Sequence, residues 1–116
     1  MIMIEKRNSK LLVILSTSER EKALTGLMYV KNALEENWIE DMQVIFFGPI
    51  ENLIVEDEEI KEYAETIADQ TECIACKYLA DRDEVSDDIG ELGMDLDYVG
   101  SIISEYIKEG YIPMVW

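Results

Sequence analysis

An unbroken apolar run, Leu11-Leu12-Val13-Ile14-Leu15, constrains this chain more than any other feature. A strand with one wet face alternates apolar and polar residues. A continuous apolar run of this length suits a strand buried on both faces, which is the condition inside a parallel sheet. Gln43-Val44-Ile45-Phe46-Phe47 repeats the pattern, and Gly48-Pro49 stops it. Between the two runs the spacing is helical. Ser18 and Glu21 stand at capping-box distance, and Leu24, Leu27, Met28, Leu34 and Trp38 predict the apolar stripe of a helix over roughly Glu19 to Asn37.

The alternation continues. Ile50 to Val55 reads as a loop. The acidic run Glu56-Asp57-Glu58-Glu59 suits a helix N-terminus, where the helix dipole favours negative charge. Ile60, Tyr63, Ala64, Ile67 and Ala68 then trace one helical face. Glu72 to Cys76 reads as a third strand, and Lys77 to Asp83 as a turn of helix. Val85, Ile89 and Leu92 predict a short helix closed by Gly93. Met94, Leu96 and Tyr98 alternate with Asp95 and Asp97, as in a half-buried strand. Val99, Ile102, Ile103, Tyr106 and Ile107 make a last helical stripe, closed by Gly110. Tyr111 to Trp116 reads as a short edge strand, because Pro113 cannot donate to a ladder. Strand and helix alternating through short connections imply a three-layer α/β/α fold. Its sheet would be mostly parallel and five-stranded, joined by right-handed crossovers. The chain of 116 residues, without repeat or linker, fits one domain over 1–116.

Charge narrows the partners. With 26 acidic and 10 basic residues the net charge is −16, which repels phosphate backbones and anionic lipid, so neither nucleic acid nor a membrane is expected. No apolar run reaches the ~20 residues of a membrane helix. Met1 to Lys10 lacks the pattern of a signal peptide, so a cytoplasmic location is expected. The sequence contains no histidine, which excludes imidazole-based triads and metal sites.

In open parallel sheets, ligands bind beyond the carboxyl ends of the strands. The glycines assemble neither a dinucleotide nor a nucleoside-triphosphate loop. The acidic constellation of a response regulator is also missing, and Ser16-Thr17-Ser18 needs no role beyond capping. Asp87-Asp88 and Asp95/Asp97 fit a helix start and a solvated strand face. That leaves Cys76, the one nucleophile at a strand end.

Cys73 and Cys76 form C-x-x-C, but on a strand this spacing puts the side chains on opposite faces. Their Cα atoms would lie roughly 10 Å apart at about 3.3 Å per residue, beyond disulfide reach. A dithiol redox pair is therefore the weaker reading. Two cysteines per chain also fall short of a four-ligand zinc site, so no metal or cofactor is expected. Cys73, in mid-strand, should be a buried small hydrophobe. Cys76 ends the strand; a following helix and the adjacent Lys77 would favour its thiolate, while the acidic surroundings oppose it. From the residues alone, a reactive and a merely structural Cys76 are evenly matched.

Four segments together resemble the DsrE/DsrF-like family, which includes sulfur-relay subunits. They are Lys10-Leu-Leu-Val-Ile-Leu-Ser, Val44-Ile-Phe-Phe-Gly-Pro, Ala75-Cys76 and Glu109-Gly110-Tyr111. The resemblance spans nearly the whole chain and implies the same α/β fold. It implies that Cys76, not Cys73, accepts sulfane sulfur as a persulfide from a donor protein; Lys77 and Cys73 are possible supporting residues by their nearness in sequence alone. It also implies a homo-oligomer, whether dimer, trimer or hexamer, and no cofactor. Some members lack the cysteine, so a non-catalytic scaffolding subunit is the alternative. After the cysteine, many relatives carry a small polar stretch where this chain has Lys77-Tyr78-Leu79-Ala80.

Overall fold

The computed structural model describes residues 8–116. The reading of Met1 to Lys10 as free of a signal pattern lies, for residues 1–7, outside that range. Five strands, β1 (Lys10–Leu15), β2 (Asp41–Phe46), β3 (Cys73–Cys76), β4 (Asp95–Asp97) and β5 (Ile112–Val115), form one all-parallel sheet in the order β4-β3-β2-β1-β5. The helices are α1 (Arg20–Glu35), α2 (Ile50–Glu56), α3 (Glu58–Gln70), α4 (Lys77–Arg82), α5 (Ser86–Glu91) and α6 (Val99–Lys108). The chain is therefore the three-layer α/β fold that its two apolar runs require. β1 pairs with β2 on one side and β5 on the other, so Leu11 to Leu15 are buried on both faces.

The two faces are covered unequally. Leu11, Val13 and Leu15 of β1 join Met42, Val44 and Phe46 of β2 under α1, α2, α3 and α5. Leu12, Ile14 and Ile45 turn the other way, into a smaller cluster completed by Cys76, Val99 and Tyr111, with Ile102, Ile103 and Tyr106 of α6 packed against it. We call these the thick and the thin face.

The structure corrects three local expectations. Ile50 to Val55 is helix, not loop, and its Ile50 and Ile54 are fully buried in the thick-face core. Helix α1 has no side-chain cap: Glu19 stands at its N-cap, and the Ser18–Glu21 capping box does not form. Its buried stripe is Ala23, Gly26, Leu27, Val30 and Ala33, while Met28 and Trp38 are exposed. Small residues win this face because the helix lies close to the sheet; a Cβ at Gly26 would stand 2.7 Å from Cγ of Trp116. The acidic run behaves as expected, since Asp57 caps α3 by accepting from the backbone N–H of Glu59 and Ile60.

Candidate functional site at the carboxyl edge of the sheet

Cys76 is the last residue of β3 and the N-cap of α4. Alternation along β3 sends Cys73 into the thick-face core and Cys76 into the thin-face cluster. Both are free thiols. Their divergence agrees with the reading of the spacing: an internal disulfide would require this strand to come apart. Burial pushes the Cys73 thiol up to about 12, with Asp95 adding to the effect, so Cys73 stays protonated and unreactive. Cys76 is itself only 5% exposed in the single chain.

Lys77, the first residue of α4, directly follows the thiol and is already engaged by an acid. Its Nζ pairs with Asp81 Oδ2 at 2.8 Å, one helical turn on, so its charge is already matched by a carboxylate. Arg82, at the end of α4, is bound to Asp83 through two hydrogen bonds of 3.0 and 3.2 Å.

A group that the sequence pattern does not reveal reaches the backbone of Cys76. Glu51, in the first turn of α2, is 0% exposed, the one fully buried charged side chain among the described residues. Its Oε1 accepts a hydrogen bond from the backbone N–H of Cys76 at 3.1 Å. Its Oε2 is buried with no partner. Burial raises its carboxyl from 4.5 to about 7; the backbone N–H groups of Cys76 and Gly48 oppose that rise, Asp83 adds to it and Arg82 subtracts. A lone acid between Pro49 and an acidic run carries no periodicity that separates it from a solvated loop residue. The only available signal was its place one turn past a strand end, where Ile50 and Ile54 flank it as core residues.

Around this pair the edge is apolar. The register pairs Phe46 with Ala75, which brings Phe47 alongside Cys76. Phe47 and Gly48 line an open cleft of about 650 Å³ with Ile14, Ser16, Leu79, Ile103 and Val115. The cleft sits on the thin face beyond β1, β2 and β5, where strand order reverses about β1. Cys76 shares a hydrophobic cluster with the lining residues Ile14, Leu79 and Ile103. Gly48 is required here: its φ is +137°, and a Cβ would collide with the Ser16 side chain. Asp95 and Asp97 are exposed, as a solvated strand face should be. No group of three or more Cys, Asp or Glu among the described residues is placed to hold a metal ion.

No family model and no curated protein matches the sequence. Among solved structures, the chain is similar to the conserved protein of unknown function BT1422 from Bacteroides thetaiotaomicron. The TM-score is 0.81 at 22% identity, over 92% of this chain and 95% of that one. The likeness establishes the shared α/β fold. No helix among the described residues is long and apolar enough to cross a membrane.

Proposed function

We propose that this protein is a sulfane-sulfur carrier, loaded as a persulfide on Cys76. The observation that supports this reading most is the position of Cys76: a free thiol at the carboxyl end of an inner parallel strand, beside a buried carboxylate and an apolar cleft. The Cys76 thiol gives up its proton, and the thiolate attacks the outer sulfur of a donor persulfide, R–S–SH. The donor S–S bond breaks, the donor leaves as R–S⁻ and is protonated, and Cys76–S–SH remains. An acceptor thiolate then takes the outer sulfur and returns the Cys76 thiolate. No step needs a metal or an external oxidant. An apolar lining suits a loaded persulfide because it keeps out water and competing thiols.

Phe47, Tyr78, Tyr98 and Val115 are exposed large apolar groups around this edge. A surface of this kind fits docking of another protein. The same reading expects a homo-oligomer and a sulfur-donor protein as partners, in the cytoplasm, where two free thiols stay reduced.

A second reading has its own support: at 5% exposure, Cys76 fits a structural thiol in a non-catalytic subunit of the same fold. Intact-mass spectrometry after incubation with a persulfide donor separates the two. A carrier gains one sulfur, about 32 Da, and loses that gain on Cys76→Ser but not on Cys73→Ser. A structural subunit shows no gain in any of the three proteins.

A further inference from the structure

We propose that Glu51 is the positioning residue of the Cys76 site, and that its state of protonation controls how readily the Cys76 thiol reacts. This rests on Cys76 being the reacting group, as read above, but not on which sulfur donor it meets. Two independent features carry it. Glu51 Oε1 holds the backbone of Cys76 at the point where β3 becomes α4, so it fixes the turn that aims the thiol. Its Oε2 is fully enclosed and unpartnered, which is costly for a charged carboxylate and tolerable for a carboxyl that keeps a proton. A brace alone would need only the first oxygen.

The surroundings leave Glu51 as the group that changes charge near neutral pH. Of the charged groups around it, Asp83 and Arg82 at the end of α4 bind each other, and Asn52 Nδ2 also donates to Asp83 at 3.0 Å. The acids of the helices packed on α2, among them Glu58 and Glu59 of α3 and Asp87, Asp88 and Glu91 of α5, are all exposed. Asp57, between α2 and α3, is paired with Arg20 at 2.7 Å. Burial brings the Glu51 carboxyl to about 7, so a modest change in pH moves its charge. Protonated, it leaves the thiol free to ionise. Ionised, it sets a negative charge behind the Cys76 backbone and opposes a second one on sulfur.

Glu51→Gln separates this role from bracing, because its amide oxygen can still accept from the Cys76 N–H but cannot ionise. The probe is methyl methanethiosulfonate, small and uncharged, so the net charge of −16 does not steer it. The modification rate of Cys76 in the native protein is followed from pH 5 to 9, with fragment masses assigning the adduct. The wild-type rate is expected to rise less steeply through pH 7 than that of the variant. The two should agree below pH 6, and the variant should be faster by about three- to tenfold above pH 7.5. Superimposable profiles overturn the proposal and leave the carrier reading intact. No modification of either protein at any pH removes Cys76 as the reacting group, and the proposal with it. Should the variant fail to fold, the amide proton of Cys76 in the ¹⁵N-labelled wild type gives the answer. A titration midpoint near 7 supports the proposal, and one in the ordinary carboxylate range overturns it.

Discussion

Cys73 and Cys76 lie on one four-residue strand, yet the sheet divides them into different chemical settings. Cys73 points into the thick face, where α1, α2, α3 and α5 bury it and burial holds its proton to about 12. Cys76 points into the thin face, where α6 leaves an open apolar cleft and a buried carboxylate reaches the backbone. Both thiols are buried, but the side of the pleat each takes decides its neighbours: core side chains for Cys73, the rim of an open cleft for Cys76. One face carries the larger share of the buried core; the other carries a smaller cluster beside an open cleft.

The largest test of this contrast is a matched pair of truncations. Leu27→Ala on the thick face, at a fully buried position, should cost about 3–4 kcal/mol in urea unfolding. Ile103→Ala on the thin face, at a half-buried cleft position, should cost about 1 kcal/mol. Equal costs would mean that the faces are packed alike. Next in size is the Glu51 carboxyl. Its folded value of about 7 exceeds its unfolded 4.5, so the folded protein holds the extra proton between them. The stability it contributes is full below pH 4.5 and is lost as pH rises through 7. In all this amounts to about 3 kcal/mol. Glu51→Gln should remove that slope, and unfolding free energies of the two proteins at pH 5 and pH 8 measure it.

A smaller pair of opposite sign sharpens the comparison. In α1, Gly26→Ala would bring a Cβ to 2.7 Å from Trp116 and 2.9 Å from Leu15, and overpacking should outweigh helix propensity by about 1 kcal/mol. In α6, Gly100 has nothing within 4 Å of that position, so Gly100→Ala should gain about 0.5 kcal/mol. Thermal midpoints moving in opposite directions would confirm the difference. A comparable effect, about 1 kcal/mol or less, is the loss of the α3 cap in Asp57→Ala, which also frees Arg20. Arg20→Ala, which keeps the cap, should cost less still, and urea midpoints distinguish the two.

What was legible in the sequence followed from periodicity. Leu11 to Leu15 and Val44 to Phe46 read as strands covered on both sides, and the C-x-x-C spacing separates the two thiols once β3 is a strand. What was hidden depended on single atoms. Helix α2 is too short for a stripe, so Glu51 looked like any of the acids around it. Nothing in its identity reveals that one oxygen meets the Cys76 N–H while the other meets nothing. Periodicity places Met28 and Trp38 on the buried side of α1 because large apolar residues dominate such a pattern. In the fold, the close approach of helix to sheet instead selects Ala23, Gly26 and Ala33. Lys77 lies beside Cys76 in sequence, but the helix that starts there turns its ammonium toward Asp81.

The most direct test of the central claim is fragmentation mass spectrometry of the wild-type protein loaded from a persulfide donor in its native state. The account predicts that the added sulfur, about 32 Da, appears on fragments that contain Cys76 and never on those that contain Cys73 alone. Sulfur found on Cys73, or shared equally between the two thiols, would contradict the division of the strand between a core side and a cleft side.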